Sequence, residues 1–355
     1  MRVVFFIGEF SEGGAERVIS ILANNMIENG FDIEILKYYN SINLYTLNPK
    51  VKITSIEEHT NTKNVVKNLS WLKKHFKENA DIIVSFLAPF NILSLLTNGR
   101  IPIIVADRND PRFVPNNKLI RIVRDNLYKK ANAIVVQTKH NKEYFNKSIQ
   151  NKTEIIPNPI DIKDNKGLAL KTKKENLIVN VARLMPQKNQ SMLIDAFSEI
   201  HKDYPDYKLT IYGEGLYRNE LEKKINSLDL EEYISLPGNE KDILNKIAKA
   251  KVFVSSSNYE GMSNSLIEAM CIGLPVITTK VSGTEDLIEN NKNGIIINVD
   301  DKKALVKELK ELLEDDNKQY LLGNEATKIV DKLDSNTISN RWIDLINSIM
   351  TKYGK

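Results

Sequence analysis

Short apolar runs alternate with longer stretches of helical period along most of this chain. Val3-Val4-Phe5-Phe6-Ile7 opens the series, apolar positions then recur at helical spacing from Ala15 to Met26, and Phe31-Asp32-Ile33-Glu34-Ile35-Leu36 follows. Strand-length runs continue at Ile82-Ile83-Val84, Ile103-Ile104-Val105 and Ala133-Ile134-Val135-Val136. A strand buried on both faces reads as an unbroken apolar run, and such runs interleaved with helical patterns predict a parallel sheet with crossover helices. The series halts at Ile155-Ile156-Pro157-Asn158-Pro159, where two prolines and a polar stretch to Lys174 mark a linker. It resumes at Leu177-Ile178-Val179-Asn180-Val181 and runs through Lys208–Tyr212, Tyr233–Leu236, Val252–Val254 and Pro275–Thr278, and from Asp301 onward the pattern is helical. This predicts an α/β protein of two Rossmann-like, doubly wound parallel-sheet domains, residues 1–165 and 166–335, with a last helical segment at 336–355. Ligands gather outside the carboxyl ends of strands in such sheets, so two domains facing each other would line a cleft with those loops.

Composition narrows the class. The 355 residues are 42% hydrophobic with 15 Gly and 11 Pro, as in a folded protein with room for two domains. The single cysteine, Cys271, cannot form an internal disulfide, and no charged start with an apolar stretch precedes the first strand, so a cytoplasmic location is expected. No apolar run approaches the roughly 20 residues of a membrane span. Residues 1–165 hold 23 Lys and Arg against 17 Asp and Glu, which points the first half toward an anionic partner or surface. Nucleic acid is not that partner, because neither a dense basic patch with interleaved aromatics nor a recognisable binding module is present.

The densest chemistry lies in Glu260-Gly261-Met262-Ser263-Asn264-Ser265-Leu266-Ile267-Glu268, two carboxylates across a loop that turns into a helix. Gly261 leaves room for close approach, and the amides around Met262, Ser263 and Asn264 at the helix start would face an anion. A plainer reading covers Glu268 alone, as the acidic member of a capping box begun by Ser265. Arg183-Leu184-Met185-Pro186-Gln187-Lys188 follows the first strand of the second domain. Arg binds phosphate oxygens bidentately and Lys adds a compact charge, so together they suit a departing diphosphate. Gly213 and Gly215, after another strand, would let backbone approach a nucleotide or simply make a turn.

In the first domain, Gly13 and Gly14 stand between the opening strand and a helix, where amides and the helix dipole would draw a phosphate. The segment is not G-x-G-x-x-G, and Lys37-Tyr38-Tyr39 stands where a dinucleotide site needs an acid. Asp107-Arg108-Asn109-Asp110-Pro111 ends a further strand, and Arg108 or Asn109 could hold a sugar or an acceptor phosphate, with a loop ion pair as the alternative. The chain has no D-x-D, scattered histidines and one cysteine, so no metal is expected. Two basic helices, Asn64 to Lys77 and Lys118 to Lys130, could dock on an anionic bilayer; alternatively each is an ordinary helix with an apolar face inward and solvated charges outward.

Glu260 to Glu268, followed by Gly273-Leu274-Pro275-Val276-Ile277 and accompanied by Arg183 and Lys188, resembles the paired-glutamate signature of retaining glycosyltransferases of the GT-B fold, specifically family 4. The resemblance implies a nucleoside diphosphate sugar, with UDP favoured, as donor substrate and no separate cofactor. It makes Arg183 and Lys188 the diphosphate clamp, Glu268 the ribose contact and Glu260 a contact to the transferred sugar. It also implies that the segment from Asn336 to Lys352 crosses back onto the first domain. Ala182 stands where many relatives carry Gly, and the Arg108 loop lacks the His that relatives often carry nearby. Relatives with an Arg-Asn-Asp-Pro loop resemble bacterial enzymes that build polysaccharide, capsule included, or oligosaccharide on a polyprenyl diphosphate lipid, so that lipid-linked glycan is the implied acceptor and the inner membrane face the implied place. An epimerase of the same architecture, or a silent sugar-nucleotide binding module, is the rival.

Overall fold

The structure, a computed structural model, describes residues 1–354 other than Glu12, Lys63 and Asn98, and of Lys163 the backbone alone. Glu12 of the first glycine segment and Lys355 of the final segment thus lie outside the described residues. The chain divides into two compact units, residues 1–161 with 333–355, and residues 162–332.

The first unit holds β1 (Arg2–Ile7), β2 (Asp32–Lys37), β3 (Lys52–Ser55), β4 (Ile82–Phe86), β5 (Ile103–Ala106), β6 (Ala133–Val136) and β7 (Thr153–Ile155). They form one parallel sheet in the order β3-β2-β1-β4-β5-β6-β7, with Val3 opposite both Ile33 and Ile82. Central strands are buried along nearly their full length, as parallel strands with both faces covered must be. One face packs on helix Gly14–Glu28 and on helix Ser335–Lys352, which contributes Ile338, Trp342, Ile346 and Ile349 to that core. The final helix therefore belongs to the first unit. The other face carries helices Val65–Asn79, Ala88–Leu96 and Lys118–Tyr128.

The second unit holds β8 (Leu177–Val181), β9 (Lys208–Tyr212), β10 (Ile234–Gly238), β11 (Val252–Ser255), β12 (Val276–Thr279) and β13 (Ile295–Ile297), parallel in the order β10-β9-β8-β11-β12-β13. Its core joins β8, β9 and β12 to helices Gln190–Asp203 and Lys302–Glu314. No described helix is long and apolar enough to cross a membrane.

Helix Lys118–Tyr128 faces the opposite way from an ordinary core helix. Arg124 and Tyr128 are its buried residues, while Leu119, Ile122 and Val123 are 71%, 57% and 50% exposed. The reason lies largely in the segment that precedes the helix. Arg124 donates to the carbonyls of Val114 (2.6 Å) and Pro111 (3.1 Å) and pairs with Asp125 at 2.8 Å, so the buried cation is saturated and its side of the helix is drawn inward. The apolar stripe is left to solvent.

Candidate active site

In the second unit, β8 lies between β9 and β11, so the chain leaves β8 on one side of it and returns to pair on the other. The loops after β8 and β11 diverge at this topological switch point, where open parallel sheets present their ligand sites. These are the loops that carry Arg183 to Lys188 and Glu260 to Glu268.

The two loops are laced together by backbone and side chain. Asn258 N donates to the Gln187 carbonyl (2.8 Å), Gln187 Nε2 to the Tyr259 carbonyl (2.8 Å) and Ser256 Oγ to the Lys188 carbonyl (2.9 Å). Across this seam Lys188 Nζ donates to Glu260 Oε1, which also accepts from Ser257 Oγ at 2.8 Å. The pair is largely enclosed, with side-chain exposures of 14% and 10%. Lys188 is therefore not a bare cation: its charge is matched by Glu260, and each holds the other in place. Arg183, by contrast, is exposed and forms no ion pair among the described residues.

Glu268 lies inside helix Asn264–Cys271 and is 7% exposed. The N-cap of that helix is Ser263, whose Oγ accepts from Leu266 N at 3.3 Å. The third helical position is then Leu266, so Ser265 and Glu268 do not sit where a capping box needs them, and capping does not account for the buried carboxylate. Met262 is buried beside the helix start, with Asn264 as first helical residue.

Gly213 and Gly215 serve a different close approach from the one their position suggested. A Cβ on Gly213 would lie 2.1 Å from the Ala182 carbonyl oxygen, and one on Gly215 would lie 2.2 Å from that of Leu184. The β9 loop is zipped onto the β8 loop, with Ala182 N donating to the Tyr212 carbonyl (3.0 Å) and Leu184 N to that of Glu214 (2.9 Å). These glycines thus fix the backbone that carries Arg183.

In the first unit the corresponding switch point lies between β1 and β4. Gly13 caps helix Gly14–Glu28 in an extended conformation, and its amide donates to the Tyr45 hydroxyl at 3.1 Å. That amide is already engaged. Arg108 is not on a loop surface: it is buried, with its guanidinium carbon 5.4 Å from the centre of the Phe86 ring and 5.6 Å from that of Trp342. Its Nη1 donates to the Ile156 carbonyl at 3.3 Å, while Nε and Nη2 have no partner among the described residues. Burial pulls this guanidinium down to about 9, opposed by the Asp107 carboxylate. Neither the loop ion pair nor an open cationic loop describes it. Asn109 is half-buried, and its carbonyl accepts from Asn141 Nδ2 at 3.2 Å.

Sequence reasoning missed the buried set behind this loop. Asp107 Oδ2 accepts from the Tyr128 hydroxyl (3.2 Å) and lies 3.9 Å from Arg124 Nη1, and Asn91 Nδ2 donates to Tyr128 at 2.9 Å. The one available signal was an arginine inside a helix otherwise rich in apolar residues. Burial pushes the Asp107 carboxyl up from 3.8 to about 6, opposed by Arg124 and by the Tyr128 hydrogen bond. A raised carboxyl holds its proton more tightly in the folded chain, so its stabilisation is complete below about pH 4 and is lost as pH rises through about 6. Relative to Asp107→Asn, the wild type should lose about 2 kcal/mol of stability between about pH 4 and pH 7. Denaturant titrations of both proteins at the two ends of that range check it, and a difference independent of pH refutes it.

Two doubly wound parallel-sheet units of this kind are the architecture of the GT-B fold. Anabaena HepE, solved with UDP and glucose, has the same fold, with a TM-score of 0.83 at 19% identity over 98% of this chain and 100% of that one. The family described as Glycosyltransferase Family 4 matches residues 12–164, and the one described as Glycosyl transferases group 1 matches residues 161–329. Residues 12–329 thus carry, in succession, the family 4 and group 1 glycosyltransferase domains. Among its relatives, the GalNAc-alpha-(1->4)-GalNAc-alpha-(1->3)-diNAcBac-PP-undecaprenol alpha-1,4-N-acetyl-D-galactosaminyltransferase of Campylobacter jejuni is 28% identical over 98% of this chain and 99% of its own length. A second Campylobacter jejuni enzyme, N-acetylgalactosamine-N,N'-diacetylbacillosaminyl-diphospho-undecaprenol 4-alpha-N-acetylgalactosaminyltransferase, is 29% identical over 92% and 93%.

Proposed function

We propose that this enzyme transfers a hexose or N-acetylhexosamine, with retention, from a UDP-linked donor to a hydroxyl of a polyprenyl-diphosphate-linked glycan. The observation that carries the reading is the enclosed Lys188–Glu260 pair at the switch point of the second unit, with Glu268 buried in the helix that follows. Full-length relatives that act on undecaprenyl-diphosphate glycans support the acceptor, and HepE's complex with UDP supports the nucleotide. In this reading Arg183 and Lys188 stabilise the charge that grows on the departing diphosphate, with no metal or cofactor required. Glu260 orients the sugar and Glu268 accepts from ribose hydroxyls. The acceptor hydroxyl attacks the anomeric carbon on the face the leaving group departs from, and the departing phosphate oxygen takes the hydroxyl's proton.

A hydrogen bond to a charged group contributes about 1.5–3 kcal/mol, so Glu268→Ala should weaken UDP binding roughly 10- to 100-fold, and Glu268→Gln less. Calorimetry with UDP tests this. Unchanged affinity in a folded Glu268→Ala protein removes the ribose role, and a panel of donors scored by nucleoside diphosphate release names the sugar.

The work site proposed is the cytoplasmic face of the membrane, in polysaccharide or capsule assembly. Exposed Leu119, Ile122 and Val123, with Lys118, Lys129 and Lys130 nearby in sequence, give helix Lys118–Tyr128 an apolar stripe flanked by cations, the form of a helix that lies in an anionic interface. Vesicles containing phosphatidylglycerol should bind the protein and release it as salt rises, because screening weakens the cationic contacts. Leu119→Ser with Ile122→Ser should abolish attachment. Equal binding to neutral vesicles, or no binding at all, rejects the surface.

A further inference from the structure

At the amino ends of β4 and β5, the opposite end of that sheet from the loops discussed above, the first unit contains a cavity of about 370 Å³. That lies within the range of about 300–1,000 Å³ typical of small-ligand sites. Its floor is apolar, made of the buried Phe76 from helix Val65–Asn79 and the buried Ile83 and Ile103 from the two strands, with half-buried Ile101 from the connection between them. Its rim is cationic: Lys73, Lys77 and Arg100 line it, are exposed, and form no ion pair among the described residues. Among the described residues no carboxylate lines the cavity. The acids nearest in sequence are occupied elsewhere, Asp81 with Arg2 at 3.1 Å and Glu78 with Lys74 at 4.0 Å. Three unmatched cations around an apolar hole suit a ligand with an anionic head and a hydrocarbon tail; a polar anion alone would leave the wall unused.

The cavity also shares a layer with the apolar helix stripe. Phe76, Ile83, Ile103, Leu95 and Tyr128 belong to one packed cluster on the same face of the sheet, and helix Ala88–Leu96 packs against helix Lys118–Tyr128. Leu96, next to the lining residue Thr97, is 54% exposed.

We propose that this cavity is a receptor for one anionic membrane phospholipid, an acyl chain against Ile101 over the buried Phe76, Ile83 and Ile103, and the phosphate on Lys73, Lys77 and Arg100. The source of the lipid rests on the membrane reading given above; the cavity's preference for a phosphate-headed chain does not, and the experiment separates them. Calorimetry with monomeric dodecyl phosphate should show saturable binding at one site, and inorganic phosphate should bind at least about 100-fold more weakly because it buries no chain. Lys77→Ala with Arg100→Ala should weaken dodecyl phosphate at least about tenfold, and Ile101→Asp should do so by placing a carboxylate in the wall. UDP affinity and donor hydrolysis should stay unchanged in both. Leu119→Ser with Ile122→Ser should lose vesicle attachment yet keep dodecyl phosphate binding, which supports a cavity distinct from the interfacial helix. Absence of saturable dodecyl phosphate binding, binding no tighter than that of inorganic phosphate, or indifference to both cavity variants overturns the proposal. If vesicles holding phosphatidylglycerol bind the Lys77→Ala, Arg100→Ala protein as tightly as they bind the wild-type protein, the lipid source is overturned.

Discussion

Lys188→Ala should lower turnover by about 10²- to 10³-fold while weakening UDP binding by less than about tenfold, the pattern expected when a group acts mainly on charge that develops in the transition state. The asymmetry follows from the Lys188–Glu260 pair. The ammonium is already matched by a carboxylate, so a diphosphate gains little from it until leaving-group charge builds up. Removing Lys188 has a second effect, because Glu260 then remains an enclosed carboxylate with Ser257 as its remaining named partner. Breaking one side of such a pair costs about 3–5 kcal/mol when the pair is buried, and less for this partly open one. Lys188→Ala with Glu260→Gln should therefore recover stability without recovering turnover, which distinguishes catalysis from packing. Lys188→Arg should keep part of the rate. Steady-state kinetics paired with calorimetry reads all three, with and without EDTA, and equal losses in turnover and UDP affinity would place Lys188 in ground-state binding.

Trp342→Ala should destabilise the first unit by about 3–5 kcal/mol, the usual cost of emptying a fully buried aromatic site. Trp342 is fully buried, stacks on Phe86 with ring centres 5.9 Å apart, and forms one wall of the Arg108 cage. Its loss removes apolar contact from the core under the final helix and removes one of the two rings that hold a guanidinium away from water. Trp342→Phe should cost less, because a ring remains and the indole nitrogen, which has no partner here, is no longer buried. For a unit of this size the alanine variant should melt roughly 10 °C lower. A loss below about 1 kcal/mol in denaturant titration would mean that the final helix packs far more loosely than this geometry requires.

The candidate site was legible in part. Glu260 and Glu268 announce themselves by spacing, and Arg183 and Lys188 by following a strand, because residues after the strands of a doubly wound sheet face its ligand edge. Sequence spacing could not say that Lys188 meets Glu260, 72 positions away. That contact depends on β8 pairing with β11 as well as β9, and pairing order is a property of the sheet. The cap is similar. Ser265 and Glu268 fit a capping box on spacing, but the helix starts two residues earlier because Ser263 takes the cap. Of the glycines, the sequence placed Gly213 and Gly215 after a strand, and the neighbouring backbone they make room for came from the β8 loop.

By itself the sequence determined two doubly wound units, because burial on both faces of a parallel strand forces an unbroken apolar run and each crossover forces a helical period. The short edge strands β3 and β13 escaped that logic, since they are only 4 and 3 residues long. Periodicity also records which side of a helix is apolar, but not what that side meets. In helix Lys118–Tyr128 the apolar side meets solvent, because Arg124 finds its acceptors at Pro111, Val114 and Asp125 and is buried with them. Arg108 looked like a loop cation and became a caged one, because Phe86 and Trp342, the latter 234 positions further along (342 − 108), close on it. Whether a charge is buried depends on partners that folding brings from elsewhere in the chain, and only the tertiary structure could supply them.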